Sequence, residues 1–163
     1  SGSDWFTQAL GSRDGSEFAC SSVHASELVN GQRVLVYACA VREGGDVRGK
    51  TLGVLGILFN WDALALTIVR RTPLTADEWT RTRVCIIDDS GRVLADSQAD
   101  GPARIDLSGW KPLLAQARSS AVLRVDGKPT CVAHAASPGY ETYRTGWHSL
   151  ILQGVAEAEV RTH

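Results

Sequence analysis

The sequence contains no methionine in its 163 residues. A chain of this size without one, and without an initiator residue, reads as a piece of a longer protein. It also lacks any run of about 18 apolar residues, so no segment has the length of a membrane-spanning helix. The stretch from Leu52 to Phe59 is apolar but much too short. Neither sign of charge is in excess: 17 Lys and Arg stand against 18 Asp and Glu, for a net charge of -1. That removes the electrostatic case for a nucleic-acid partner, whose binders carry basic patches. The four cysteines are irregularly spaced and form no C-x-x-C pair. The spacing argues against a zinc site and defines no disulfide framework. Cysteines of this kind favour a reducing compartment. There is no G-x-S-x-G, no phosphate loop and no H-E-x-x-H. Asp88-Asp89 looks like a carboxylate pair, but neighbours at a strand end point apart and Asp is a common turn former. The sequence therefore predicts no catalysis, no cofactor and no metal.

What the sequence does contain is a loose repeat. Asn30-Gly31-Gln32-Arg33-Val34-Leu35-Val36-Tyr37-Ala38-Cys39-Ala40 returns as Asp126-Gly127-Lys128-Pro129-Thr130-Cys131-Val132-Ala133-His134-Ala135-Ala136. A Trp-led helical stretch precedes each copy, Trp5 to Leu10 and Trp110 to Ala117. An apolar strand follows each, Leu52 to Phe59 and Trp147 to Gln153. Two copies at this spacing predict two small modules of one design rather than a solenoid.

Read in order, Asp4 to Leu10 is a short helix stopped by the turn cluster after Gly11. Glu17 to His24 is a strand. Asn30-Gly31 is a turn, and Gln32 to Val41 is a strand rich in β-branched and aromatic residues. Both faces of this strand are apolar, which predicts a central strand covered on each side. Its partner runs from Lys50 to Phe59, across a loop at Glu43 to Asp46. A fold-back near Asn30 would set Cys20 opposite Cys39, where two small buried hydrophobes are favoured over a disulfide. Trp61 to Arg71 is a helix that Pro73 ends. Thr75-Ala76-Asp77-Glu78 matches a capping box. Arg83 to Asp96 is a hairpin turning at Asp88 to Gly91, and Trp110 to Arg118 is a helix. A second hairpin turns at Asp126-Gly127. A loop with Tyr140 and Tyr143 leads to the closing strand, and an exit helix starts at Ala156.

The order strand–strand–helix–strand–strand–strand in the second half resembles PAS-like sensory modules. Val84 to Ser97 resembles the opening hairpin of a Cache domain. Gly53 to Trp61 is similar to the last strand of the membrane-distal module of a double Cache domain. Gly139 to His148 resembles the final hairpin of bacterial chemoreceptor sensory domains. The resemblance implies an α+β fold of tandem PAS-like modules, with antiparallel sheets flanked by helices. It divides the chain into an incomplete distal module (1–60), a helical connector (61–82), a complete proximal module (83–154) and an exit helix (155–163). By this comparison the first module lacks the hairpin that would precede Asp4.

The resemblance further implies a small-molecule-sensing input domain of a membrane-anchored signalling protein, extracytoplasmic, possible as a homodimer. The alternatives are a cytoplasmic location and a structural or dimerising module without a ligand. In the family, ligands usually occupy the distal module. Trp5 and Phe6 fall where amino-acid-binding relatives carry an aromatic pair. Those relatives have an Arg where this chain has Ser3 and an Asp where it has Leu58. Both departures remove charges that would grip an amino acid. A binding surface needs concave apolar area with a few polar groups. The candidate lining is the alternating face of Leu35, Tyr37, Cys39 and Val41, with Leu58, the Trp5-Phe6 helix above it, and Ser22 and His24 on the next strand. The same stripe would also serve as plain core. In the second copy Cys131, Ala133 and Ala135 replace Leu35, Tyr37 and Cys39, leaving space for Trp110 and Tyr140 or for a ligand.

Overall fold

The computed structural model describes residues 4–98, 100–139 and 144–155. Tyr140, Tyr143 and the exit helix expected from Ala156 lie outside those residues. The chain divides into two compact units, Ser1–Leu64 and Ala65–His163.

The first unit opens with α1 (Asp4–Leu10), the helix expected there. Asp4 lies in its first turn, where a carboxylate favours the helix dipole. The strand expected over Glu17 to His24 is instead two short ones, β1 (Phe18–Cys20) and β2 (His24–Ser26). Both pair antiparallel with β3 (Gln32–Arg42). The gap between them has a local cause. Ser21 donates its N–H to the Val36 carbonyl at 2.9 Å, and its hydroxyl accepts the Val36 N–H at 3.0 Å. A side chain thus takes over where a strand backbone would continue. A 3-10 turn (Glu27–Val29) and Asn30-Gly31 lead into β3. β4 (Thr51–Asn60) pairs along the other edge of β3, from Val34 opposite Asn60 to Arg42 opposite Thr51. β3 is therefore central, as expected. The register sets Cys20 opposite Tyr37 and Cys39 opposite Phe18, so the two cysteines are not cross-strand partners. All four cysteines are free thiols.

One face of this sheet is better covered than the other. Ala19, Val34, Val36 and Ala38 are buried. On the opposite face Phe18, Val41, Leu55, Ile57 and Phe59 are exposed, Leu55 and Ile57 by more than half (54% and 52%). The expectation that both faces of β3 are covered holds at Leu35, which is only 5% exposed, and fails toward Val41. Tyr37 on that face touches Phe18 and Phe59, with ring centroids 6.2 and 5.8 Å away.

The division between units falls inside α2 (Trp61–Arg70). Asn60 caps the start of α2 by accepting the Ala63 N–H at 3.2 Å. In the second unit α3 (Ala76–Arg81) begins with the expected capping box: Thr75 accepts the Glu78 N–H at 3.3 Å, and the Glu78 carboxylate accepts the Thr75 N–H at 2.8 Å. Next come β5 (Thr82–Ile87), β6 (Val93–Asp96), α4 (Lys111–Leu114), β7 (Arg118–Val125), β8 (Lys128–Ala136) and β9 (His148–Gly154). They form one antiparallel sheet in the order β6-β5-β9-β8-β7. Asp88 closes the first turn, accepting from the N–H groups of Ser90 and Arg92 and from the Ser90 hydroxyl. That carboxylate serves the turn.

The helix expected over Trp110 to Arg118 is one turn long. Pairing with β8 claims the chain from Arg118 onward, and the Ser119 hydroxyl donates to the Leu113 carbonyl at 2.8 Å. Trp110 and Leu113 cover Cys85, Ile87, Val132, Leu150 and Leu152, all buried. Each such side chain contributes about 1.5–3 kcal/mol relative to exposure. Burial pushes the Cys85 thiol up to about 12, so this sulfur is unreactive near neutral pH. Arg83 and Asp96 form a nearly buried ion pair at 2.6 Å.

The repeat is structural. Asn30-Gly31 and Asp126-Gly127 each hold two successive residues at positive φ (56° and 77°, 51° and 78°). The second pair is a tight hairpin turn between β7 and β8, and the first closes the 3-10 turn that leads into β3. β3 corresponds to β8 and β4 to β9. One difference follows directly. β9 is paired on both edges, by β5 and β8. Among the described residues β4 is paired on one edge only.

His134 is buried and bonded at both ring nitrogens, to Ser119 Oγ at 3.4 Å and to His148 Nδ1 at 2.8 Å. The Ser119 hydrogen is committed to Leu113, so His134 Nδ1 donates to Ser119. Its Nε2 therefore accepts from His148. Protonating His134 would set two N–H groups against each other. Burial, and then the neighbouring His148, hold its pKa below the ordinary histidine value. The unfolded chain therefore takes the proton first. Stability is full above about pH 6.5 and falls as pH drops below that, by no more than about 1.4 kcal/mol per pH unit for one proton. Urea unfolding from pH 7.5 to 5 checks this. His134→Gln should flatten the slope, and an unchanged slope would assign the pH dependence to other groups.

Candidate functional site

The first unit carries a groove of about 980 Å³ beside α1. Asp4, Trp5, Phe6 and Gln8 line it from the helix. Cys20, Ser21 and Ser22 line it from the end of β1 and the gap, and His24, Ala25 and Ser26 from β2. Glu27 and Leu28 of the 3-10 turn complete it.

The position of α1 follows from small residues. Ala9 of α1 packs on Ala19 and Ala38, with Trp5 against the same cluster. Gly56 lies opposite Ala38 in the β3–β4 ladder. A Cβ built on Gly56 would come within 3.0 and 3.1 Å of the six-membered ring of Trp5. The helix can approach because these positions are almost bare. In the second unit the corresponding strand positions are His134 and Leu150, which also face each other. There Trp110 and Leu113 pack on large side chains. The covered face is bare in the first copy and filled in the second.

This sorts the residues expected from sequence. Trp5, Phe6, Ser22 and His24 do line one groove. Leu58 lies opposite Val36 and so shares the face that α1 covers. Leu35, Tyr37 and Cys39 are one residue out of phase and point to the other face, with Val41. The expected combination of Tyr37, Leu58 and the Trp5 helix on one surface is thus corrected: successive strand residues alternate, and the helix chose the alanine–glycine face. For the same reason Trp110 fills the Val132 side of β8, not the Cys131–Ala133–Ala135 side. Asp4, Gln8, Ser21, Ser26 and Glu27 were not singled out by sequence. The usable signal was Ala38 opposite Gly56, the smallest pair in the ladder.

Polar geometry in the groove is specific at two points. His24 Nδ1 lies 2.8 Å from the Ser22 carbonyl. A carbonyl only accepts, so Nδ1 carries the hydrogen and the neutral ring keeps Nε2 as an acceptor. Ser21 Oγ holds the Val36 N–H. Phe6 stands edge-on to Trp5, centroids 5.9 Å apart at 79°. On the other face, burial and then the adjacent Cys20 thiol raise the Tyr37 hydroxyl above its ordinary pKa. Among the described residues no group of three His, Cys, Asp or Glu side chains could hold a metal, and no helix is long and apolar enough to cross a membrane.

No protein-family model matches this chain, and none of the curated proteins matches it. Solved structures do. The ligand-binding domain of the Campylobacter jejuni chemoreceptor Tlp3, in complex with 4-methylisoleucine, aligns with 98% of this chain and 54% of that one, at 16% identity and a TM-score of 0.65. The ligand-binding domain of the Pseudomonas fluorescens chemoreceptor CtaA, in complex with L-serine, aligns with 94% of this chain and 60% of that one, at 17% identity and a TM-score of 0.58. At such identity the likeness is one of fold. The chain thus has the α+β fold of chemoreceptor sensory domains and spans a little over half the length of these relatives.

The seat of Trp5 yields a test. Gly56→Val should displace the ring and destabilise the first unit by about 1–3 kcal/mol, as overpacking does. Chemical unfolding with tryptophan emission reads it. Gly53→Val is the comparison, because a Cβ at Gly53 meets nothing within 4 Å. Equal effects of the two substitutions would show that the Trp5 contact is not special.

Proposed function

We propose that the chain is a small-molecule-sensing input region of a bacterial signal-transduction protein, with the ligand bound beside α1 in the first unit. The observation that carries this reading is the groove itself: a concave surface with an aromatic pair and several convergent polar groups, on a fold used by ligand-binding chemoreceptor domains. The C. jejuni and P. fluorescens structures hold amino acids in domains of this fold. In this reading the parent protein is anchored in the inner membrane and the chain lies on its extracytoplasmic side. The first module occupies residues 1–60, a helical connector 61–82 and the second module 83–154. Occupancy shifts the balance between two packings of the flanking helices. No catalytic step is assigned to it.

A thermal-shift screen over amines, amino acids, carboxylic acids, nucleobases and sugars tests this. A true ligand at a hundredfold excess over its Kd stabilises by about 2.7 kcal/mol. Trp5→Leu should abolish the shift. Complete absence of shifts across the screen would remove the sensing reading.

One observation favours a second reading, a module for protein association without a ligand. The exposed face with Leu55, Ile57 and Phe59 adjoins the unpaired edge of β4. Such edges are templates for another strand. If this reading holds, sedimentation shows a dimer at micromolar concentration, and Ile57→Lys returns it to a monomer.

A further inference from the structure

The charges around the groove, taken with the sensing reading on which this step rests, narrow the ligand. Among the described residues two carboxylates line it, those of Asp4 and Glu27, and no Lys or Arg does. Neither carboxylate has a cationic partner among the described residues. The imidazole adds to this bias. Because His24 Nδ1 donates to the Ser22 carbonyl, the neutral ring offers a lone pair. Ser and Gln side chains can donate or accept, so they do not reverse the balance.

A ligand carboxylate entering this groove would shed water without meeting a cation, and it would face two like charges. An ammonium group would meet acceptors and opposite charge. An apolar body has a place as well: Phe6 is 41% exposed beside Trp5, so aromatic surface remains available to alkyl groups and to a cation. The groove volume admits a ligand of amino-acid size with room to spare. We infer that the groove takes an organic amine with an apolar body and no carboxylate, rather than a zwitterionic amino acid. The L-serine and 4-methylisoleucine bound by the chemoreceptor domains of like fold each carry both charges. This groove supplies complementarity for only one of them.

A matched series separates the charges at constant side chain. L-leucine carries both, L-leucine methyl ester and 3-methylbutylamine keep only the amine, and 4-methylpentanoic acid keeps only the carboxylate. Titration calorimetry on the full chain measures all four. The two amines should bind about tenfold or more tighter than leucine, a difference of about 1.4 kcal/mol. The acid should not bind. Asp4→Asn with Glu27→Gln should erase the preference for the amines over leucine, and both positions are exposed, so the cost to folding is confined to the small dipole contribution of Asp4. Equal or tighter binding of leucine or of the acid overturns the inference and leaves the sensing reading intact. So does failure of both amines when the broader screen finds a ligand of another class. Failure of every compound in both experiments removes the sensing reading itself.

Discussion

The six-membered ring of Trp5 occupies the volume that a side chain at Gly56 would fill, and the first unit depends on that contact. A seven-residue helix is too short to hold its shape in water by propensity alone. It persists because one face of it is packed, and it packs only where the sheet lets it come close. Ala19, Ala38 and Gly56 provide that place, side by side on three adjacent strands. Once α1 rests there, its other flank and the gap between β1 and β2 enclose the groove. The groove is thus a by-product of where the sheet is thinnest.

The second unit shows the same design with the opposite filling. Val132, His134, Leu150 and Leu152 occupy the covered face, and Trp110 with Leu113 closes it. A Gly–Ala pair in one copy and a Leu–His pair in the other decide whether the helix side holds open space or core. The His134–His148 contact belongs to this filled arrangement: a histidine is kept neutral because its partners leave no room for a second proton. Large side chains fill the covered face in one unit, and small ones in the other leave an open groove.

The first unit is also the more open on its far side. Its sheet ends at β4, whose ten residues have one unpaired edge among the described residues and whose outward side chains are apolar. The matching strand of the second unit is flanked on both sides. A soluble sheet with such an edge normally carries charges, bulges or a covering element. Here the nearest such device is the register shift at Val41 and Arg42, at the end of the ladder.

Local chemistry determined much of this protein. Asn30-Gly31 and Asp126-Gly127 could hardly be anything but tight turns, because few other pairs accept two positive φ angles in succession. The Thr75–Glu78 capping box, the Asp88 turn and the extent of α1 were legible for the same reason: each is set by residues a few positions apart. The likeness to a sensory fold was legible from the order of elements in the second half and from the resemblance of Val84 to Ser97, Gly53 to Trp61 and Gly139 to His148 to family segments. What the chain alone left open was every choice between two equal faces. β3 is apolar on both sides, so period two gave two candidate surfaces and no way to rank them. The tertiary structure ranked them by space: α1 went where a glycine and alanines let it approach. That kept Trp5, Phe6, Ser22 and His24 together in one groove, added Asp4 and Glu27 to it, and set Tyr37 and Cys39 on the opposite face. Likewise Trp110 to Arg118 had a helical pattern, but the helix stops at Leu114 and strand pairing with β8 begins at Arg118. Turns and caps depend on neighbours in sequence, whereas the covered face and the groove depend on which distant side chains are absent.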